Sequence, residues 1–237
     1  MGLTQMRKYR IKEIWKTLQG EGVMAGRAAV FVRFVGCNMW SGYEQDRNTD
    51  ARRNKAACPI WCDTDFTKEN SHFYTAEALV NEMCRIGGKI RFCVLTGGEP
   101  LLQADAALIQ ALHQEHFEVA IETNGTLSLK DTFTINDQLY PPDWIVCSPK
   151  LPDEQLRIEY CDELKLVVPD YLPAQYPLLA ERIRTTKLRP ALHLPTCWLQ
   201  PEDGTRKEAA QYLAIQAALE HPTWRVSVQT HKILDIP

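Results

Sequence analysis

The sequence predicts an α/β fold, a partial (open) β/α barrel of about six parallel strands. Apolar, β-branched runs alternate with runs of helical periodicity along the chain, which is typical of parallel strands joined by right-handed crossover connections. About six such units are too few to close an eight-stranded barrel. No repeat, low-complexity tract or linker divides the chain, so we expect one domain over residues 1–237.

The predicted elements begin with a buried strand at 28–36, which is a continuous apolar run. Segment 74–88 follows as a helix, because Thr75 is a candidate N-cap, apolar residues recur at helical spacing and two glycines end it. The later segments repeat this alternation. Strands are predicted at 89–96, 117–123, 143–148, 163–168, 189–194 and 224–228, and helices at 104–116, 174–185 and 206–221.

Composition and charge exclude several classes of partner. The 27 Lys and Arg residues and 30 Asp and Glu residues give a formal net charge of −3, so we expect no nucleic-acid partner and no anionic membrane. No apolar run approaches the roughly 18 residues of a membrane span. The first part of the chain carries charges throughout and lacks the apolar core of a signal peptide. We therefore expect a cytoplasmic protein.

Glycine and polar residues follow the predicted strands at the points where these end. Cys37 follows the first strand, and later strands are followed by TGGEP (96–100), NGT (124–126), SPK (148–150) and QTHK (229–232). Because the carboxyl ends of parallel strands meet at one edge of the sheet, functional residues collect there. The sequence therefore predicts a site at this edge.

Three of the eight cysteines share one polar segment, in which gaps of 20 and 3 residues separate Cys37, Cys58 and Cys62. Three thiolates suit a [4Fe–4S] cluster that keeps one iron open to a small molecule, whereas a fourth, distant ligand would make a structural zinc site. The other cysteines lie in apolar runs and are expected to be buried, unpaired side chains. These are Cys84, Cys93, Cys147, Cys161 and Cys197.

The cysteine segment and TGGEP resemble the cluster loop and the glycine-rich methionine-binding element of the radical S-adenosylmethionine (SAM) superfamily. Further motifs, in order from about residue 10 to the C-terminus, resemble the 7-carboxy-7-deazaguanine synthase family. They are TLQGEG (17–22), VRFVGC, CDTDF, ETNGT, SPK and QTHK. The superfamily pattern C-x3-C-x2-C reads C-x20-C-x3-C here, so we interpret 38–57 as an exposed loop insertion.

The resemblance implies a radical SAM core with the cluster loop after the first barrel strand, and a carbon–nitrogen lyase of queuosine (7-deazapurine) biosynthesis. It implies a [4Fe–4S] cluster, SAM and Mg²⁺ as cofactors. A 5′-deoxyadenosyl radical would remove hydrogen from 6-carboxy-5,6,7,8-tetrahydropterin. Ring contraction with loss of ammonia would then give 7-carboxy-7-deazaguanine. A homodimer and an electron donor such as flavodoxin are also implied.

The resemblance assigns roles to individual residues. The implied cluster ligands are Cys37, Cys58 and Cys62, and the implied magnesium ligand is Thr64. The residues implied to bind SAM are Trp61, Cys62, Asp63, Gly98, Ser148, Pro149 and Lys150. The residues implied to bind substrate are Leu18, Gln19, Gly20, Arg33, Thr96 and Pro237, the last through a C-terminal carboxylate.

Several residues also have a purely structural interpretation. Asp63 and Thr64 suit a helix or turn cap, and Arg33 suits an ion pair with an acidic neighbour. Lys165, which interrupts an apolar strand, would either face the site or form a salt bridge at the strand end. Two other functions stay open from the residues alone. One is a radical enzyme that activates a glycyl-radical protein, and the other is a zinc-stapled binding module without catalysis.

Overall fold

A computed structural model of the chain describes residues 7–56, 62, 64–181, 183 and 197–237. The described strands are β1 (Tyr9–Leu18), β2 (Ala28–Phe34), β3 (His72–Tyr74), β4 (Phe92–Gly97), β5 (Glu118–Thr123), β6 (Thr134–Ile135), β7 (Gln138–Leu139), β8 (Trp144–Cys147), β9 (Glu163–Val168), β10 (Cys197–Pro201) and β11 (Trp224–Val226). The described α-helices are α1 (Arg47–Asn54), α2 (Ala76–Gly87), α3 (Ala106–Gln114), α4 (Leu129–Phe133), α5 (Pro177–Glu181), α6 (Lys207–Glu220) and α7 (Thr230–Leu234).

Nine strands form one continuous sheet in the order β11-β10-β9-β8-β5-β4-β2-β1-β3, and β6 and β7 form a separate hairpin. Neighbouring strands from β11 to β2 are parallel, whereas β1 and β3 pair antiparallel at the other edge. The edge strands β11 and β3 are not paired with each other in the described chain. The predicted α/β fold with an open barrel is therefore confirmed, with β1 and β3 as unpredicted additions.

Alternation along the strands separates the sheet into two faces. Val30, Val32 and Phe34 of β2 join the large apolar core, which includes buried residues of α2 and α3. Ala29 and Phe31 point to the opposite face and join a smaller apolar cluster. Since side chains alternate with a period of two, every second residue of each parallel strand lies on that smaller face. The cavities described below lie on this smaller face of the sheet.

The packing of α2 illustrates how the helical layer is fixed. Thr75 is its N-cap, as predicted, because the side chain accepts a hydrogen bond from the Ala78 N–H at 3.2 Å. Leu79 and Met83 are fully buried in the core, and burial of each contributes about 2 kcal/mol. At the last turn, a Cβ on Gly87 would lie 2.5 Å from Cγ2 of Val30, so the helix approaches β2 at this glycine.

Three predictions about local structure need correction or lie outside the described chain. The predicted strand 189–194 lies outside the described residues, and β10 forms at Cys197–Pro201, where no element was predicted. Of the predicted helix 174–185, only α5 is α-helical in the described residues, since a 3-10 turn precedes it at Pro173–Gln175 and Ile183 forms a parallel β-bridge with Cys161. The insertion 38–57 is not simply an exposed loop, because it contains α1 and buries Met39 and Trp40.

The cysteines outside the site agree only partly with the expected burial. Cys93, Cys147 and Cys161 are fully buried, whereas Cys84 and Cys197 are partly exposed and pack against the large core. These five cysteines are free thiols, as expected. Among the described helices, none has the length and apolar character to cross a membrane.

Candidate active site

A cavity of about 260 Å³ lies at the carboxyl ends of the parallel strands. Each of the seven parallel strands contributes residues at or just after its end. These residues include Cys37, Thr96, Gly97, Gly98, Glu122, Thr123, Asn124, Ser148, Lys150, Lys165, Val167, Gln200, Pro201, Glu202, Asp203 and Gln229. A cavity therefore lies at the edge of the sheet where the sequence predicts the site. We call this the first cavity.

A second cavity of about 240 Å³ adjoins the first. It is lined mainly by β1, the loop after it, β2 and the C-terminal segment. The lining residues are Trp15, Thr17, Leu18, Gln19, Gly20, Glu21, Phe31, Arg33, Thr64, Thr96, Glu122, Gln229, His231, Lys232 and Pro237. Five residues line both cavities and form a wall between them, namely Glu21, Thr64, Thr96, Glu122 and Gln229.

Strand periodicity brings four polar side chains of distant segments to these cavities. Arg33 shares the face of Phe31 on β2, and Thr96 shares the face of Val94 on β4. Glu122 shares the face of Ala120 on β5. Lys165 on β9 points away from the large core, because its neighbours Leu164 and Leu166 both belong to that core. The smaller face of the sheet therefore becomes polar toward the carboxyl ends of its strands.

The two glycines of TGGEP serve a contact that the sequence did not indicate. A Cβ on Gly97 would lie 2.4 Å from the carbonyl oxygen of Phe34, and Gly97 has a φ of +136°. A Cβ on Gly98 would lie 2.1 Å from the carbonyl oxygen of Gly36 and 2.8 Å from Cβ of Cys37. The loop after β4 thus packs directly on the backbone that carries Cys37, which only glycine permits.

Glu99 fixes this loop from the other side. Its buried carboxylate accepts hydrogen bonds from the Asn124 N–H at 2.7 Å, the Thr123 hydroxyl at 2.9 Å and the Leu101 N–H at 3.0 Å. Burial raises the pKa of Glu99 to about 7, although these donors favour the ionised form. The ends of β4 and β5 are therefore held together beside the Cys37 segment.

Cys37 and Cys62 both line the first cavity and pack against a small apolar cluster that contains Met39, Trp40 and Phe66. Burial raises the pKa of the Cys37 thiol to about 11. Cysteine side chains in an apolar surround suit an iron–sulfur cluster, because iron replaces the thiol proton and the surround excludes water. Cys58 lies outside the described residues, and the described part of the chain holds no group of three metal-ligating side chains.

Arg33 and aromatic rings shape the second cavity. The Arg33 guanidinium lies 5.0 Å from the centre of the Trp15 ring, and its Nε donates to Glu13 Oε1 at 2.5 Å. Trp15 stacks on Phe31 with ring centres 5.1 Å apart. The Glu13 side chain is half exposed, so this ion pair leaves the guanidinium available to a ligand anion. A flat heteroaromatic acid fits this combination of ring faces and one cation.

Comparison with known proteins agrees with this geometry. No family model matches the chain. The 7-carboxy-7-deazaguanine synthases of Bordetella pertussis and Caulobacter vibrioides are 43% and 44% identical to it, each over 97% of this chain and 99% of the relative. The chain belongs to the 7-carboxy-7-deazaguanine synthase family. The crystal structure of QueE from Escherichia coli superposes with a TM-score of 0.60 at 25% identity, covering 94% of both chains.

Family membership confirms the predicted enzyme class, a radical SAM lyase. The residues predicted to bind SAM and those predicted to bind substrate lie mostly at different cavities. Of the predicted SAM set, Cys62, Gly98, Ser148 and Lys150 line the first cavity, whereas Pro149 is buried and does not line it. Trp61 and Asp63 lie outside the described residues. Of the predicted substrate set, the residues that line the second cavity are Leu18, Gln19, Gly20, Arg33, Thr96 and Pro237. Thr64 lines both cavities.

Gln19 is placed at the second cavity, but its side chain is engaged within the protein. Its amide nitrogen donates to Glu122 Oε1 at 3.2 Å, and its Oε1 accepts from the Glu21 N–H at 3.2 Å. The Thr96 hydroxyl donates to the other oxygen of Glu122 at 2.9 Å. In this structure Gln19 and Thr96 therefore orient Glu122, whose carboxylate lies in the shared wall.

Sequence reasoning missed several lining residues, which are Glu21, Glu122, Gln200, Glu202, Asp203 and Gln229. Glu21, Glu122 and Gln229 lie inside the motifs TLQGEG, ETNGT and QTHK but were given no role. Segment 200–203 supplies polar residues after an apolar stretch, which is the same signal that located SPK. It was overlooked because no strand was predicted at β10.

The sequence left two alternatives for Lys165, and the structure combines them. Lys165 lines the first cavity and also forms a buried salt bridge. Its Nζ donates to Glu21 Oε2, and Glu122 Oε1 lies 4.0 Å away. Glu21 Oε1 accepts from Gln200 and Gln229, both at 2.9 Å. Burial disfavours the charged carboxylate, but the Lys165 ammonium holds the pKa of Glu21 at about 2.

We predict that Lys165→Met lowers the free energy of unfolding of the apoprotein by about 3–5 kcal/mol at pH 7, because it leaves a buried carboxylate without its counter-charge. The contribution of Glu21 to stability is complete above its ordinary pKa of 4.5 and is lost as the pH falls toward 2. The difference in unfolding free energy between wild type and Lys165→Met should therefore decrease below about pH 5. Urea unfolding across this pH range measures it.

The double variant Lys165→Met/Glu21→Gln is the matched control for this prediction. It removes both charges, so it should recover a large part of the lost stability. An unfolding free energy of Lys165→Met equal to that of wild type at pH 7 would contradict a buried ion pair at this position.

Proposed function

We propose that this chain is a 7-carboxy-7-deazaguanine synthase that converts 6-carboxy-5,6,7,8-tetrahydropterin to 7-carboxy-7-deazaguanine with ring contraction and loss of ammonia, in queuosine biosynthesis. The observation that supports this is the pair of adjoining cavities with a shared wall. The residues assigned to the cluster and to SAM that line the first cavity are Cys37, Cys62, Gly98, Ser148 and Lys150. The residues assigned to the pterin line the second cavity, and Thr96 among them lines both. Two ligands bound in this way would present their reacting atoms to each other across Thr96 and Glu122.

The first cavity is proposed to hold the cofactors. Cys37, Cys58 and Cys62 would ligate a [4Fe–4S] cluster and leave one iron open to SAM. When bound, the two cofactors supply the radical that abstracts hydrogen from the substrate. Lys150 folds back on Ser148, donating to its hydroxyl at 2.9 Å, so SPK would offer a compact polar turn to SAM. Trp61, Asp63, Gly98 and Pro149 complete the proposed SAM site.

The second cavity is proposed to hold the pterin. Leu18 and Gly20 would contact the ring edge, and Glu122, oriented by Gln19, would accept hydrogen bonds from ring N–H groups. Arg33 would bind the substrate carboxylate, and Pro237 would close the cavity near the pterin amine. Trp15 and Thr17 each hold a buried polar atom without a partner in the described chain, which suits a polar ligand. The site as a whole positions the substrate and excludes water.

The test is anaerobic reconstitution with iron and sulfide, followed by SAM, Mg²⁺, dithionite and the carboxytetrahydropterin. We expect 7-carboxy-7-deazaguanine by mass spectrometry from wild type and none from Cys58→Ala, because loss of one thiolate removes the cluster. Cys84→Ala, at a partly exposed cysteine outside the site, is the control and should keep full activity.

Other outcomes of this experiment separate the competing functions. Formation of 5′-deoxyadenosine without the deazaguanine would mean radical chemistry on a different substrate, such as a glycyl-radical protein. A colourless protein that retains zinc and forms neither product would favour the binding module.

Arg33→Ala is expected to raise the KM for the pterin by about 10–100-fold, since a charge-assisted pair with a carboxylate contributes about 1.5–3 kcal/mol. The KM for SAM should stay within twofold of wild type, because Arg33 does not line the first cavity. Glu13→Gln removes the present partner of Arg33 and should leave the pterin KM unchanged or lower. Equal KM values for Arg33→Ala and wild type would refute the assignment.

We propose that Thr64 is the ligand of Mg²⁺, because this residue lines both cavities, its side chain offers a hydroxyl oxygen, and Mg²⁺ prefers oxygen ligands with several waters. Thr64→Ala should raise the Mg²⁺ concentration for half-maximal activity about tenfold, whereas Thr64→Ser should remain near wild type. Steady-state rates over a Mg²⁺ titration in metal-free buffer measure this. An unchanged titration in Thr64→Ala would exclude the role.

The assembly and the source of electrons are proposed from the family resemblance. We propose one domain over 1–237, which the continuous sheet supports, and a cytoplasmic homodimer. Exposed apolar side chains on α6, among them Tyr212, Ile215 and Leu219, support contact with a second copy. A monomer mass by sedimentation at micromolar concentration would refute the dimer.

A flavodoxin is the proposed electron donor, and failure of reduced flavodoxin to replace dithionite in the activity assay would refute this proposal.

A further inference from the structure

The insertion between the first two cluster cysteines contains a helix that the proposed function does not use. α1 (Arg47–Asn54) buries only Asp50 and Ala51, and the rest of its surface is polar. A helix of this length without an apolar stripe is not stable alone, so contacts with the rest of the protein must fix it. The partners of α1 in these contacts lie in the segment that contains Cys37 and Cys62.

Three hydrogen bonds connect α1 to the chain around the cluster cysteines. Asp50 Oδ2 accepts from the Ser41 N–H at 2.7 Å, and Asn54 Nδ2 donates to the Met39 carbonyl at 2.5 Å. Arg47 Nη2 donates to the carbonyl of Cys62 itself at 2.7 Å. The helix is thus bound both to the chain that follows Cys37 and to the last cysteine.

Apolar contacts also hold α1 on the cysteine segment. Ala51 packs with Met39, Trp40 and Phe66 in a buried cluster, against which Cys37 and Cys62 are packed. Met39 is 3% exposed and Trp40 is 7% exposed, although both lie in a polar insertion. The α1 helix therefore contributes to the surface that separates the two described thiols from solvent.

We propose that α1 is a fixed lid over Cys37 and Cys62 and that Arg47 is the positioning residue that holds it on Cys62. The inference rests on the proposed function, since it concerns the cluster that these cysteines would hold. The spacing of 3 residues between Cys58 and Cys62 departs from the usual 2, and the Arg47 bond gives the Cys62 backbone an external support. Solvent access governs the redox behaviour and oxygen sensitivity of such clusters.

The test compares Arg47→Ala, Arg47→Lys and the control Arg52→Ala, an exposed arginine of the same helix. Each protein is reconstituted anaerobically, its iron and sulfide content is measured, and loss of the visible cluster absorbance is followed after exposure to air. We expect Arg47→Ala to bleach at least about tenfold faster than wild type and Arg52→Ala to match wild type. Tenfold corresponds to about 1.4 kcal/mol, within the range of a charged hydrogen bond. Arg47→Lys should fall between them.

Asn54→Ala gives a second, independent variant, because it removes the bond to Met39 without changing the charge. It should also bleach faster than wild type. If Arg47→Ala and Asn54→Ala both bleach at the wild-type rate with full iron content, the lid is refuted. In that case product formation by wild type would still uphold the proposed function. Failure of wild type to assemble any cluster would instead overturn both.

Discussion

The buried ion pair between Lys165 and Glu21 is the interaction on which the arrangement of the site depends. The two residues are 144 positions apart in the chain, and their charges lie where two cavities meet. A charge removed from water must be compensated by partners, so this pair fixes the position of every group that bonds to it. Through Gln200 and Gln229 it connects β9, β10, the loop after β1 and the C-terminal segment.

This network also explains why the site has two adjoining cavities instead of one cleft. Glu122 lies 4.0 Å from Lys165 and is held by Gln19 and Thr96, so a row of bonded polar groups lies where the two cavities adjoin. Because each of these groups is bonded to another within the protein, their arrangement does not depend on a ligand. Ligands bound in the two cavities would meet at these groups.

Sequence reasoning recovered what local periodicity and motif order encode. Most of the parallel strands, and the positions of Cys37, SPK and TLQGEG at the cavities, were predictable, because each depends on residues close together in the chain. Partners such as Glu21 and Lys165 were not, since no local pattern links positions so far apart. The antiparallel strand β1 was missed because its alternation is interrupted at Glu13 and Ile14, next to the irregularity in its pairing with β2 between Ile11 and Glu13.

The insertion 38–57 shows why a charged segment can be misjudged as an exposed loop. Its helix α1 carries few apolar residues, so neither hydrophobic periodicity nor helix propensity indicates burial. What fixes it is a set of polar side chains, Arg47, Asp50 and Asn54, each of which finds a backbone group of the cysteine segment. Such bonds need a carbonyl or N–H left unpaired by irregular backbone, and a cluster loop supplies these. The longer spacing between Cys37 and Cys58 therefore gives the protein a covering for the loop as well as extra length.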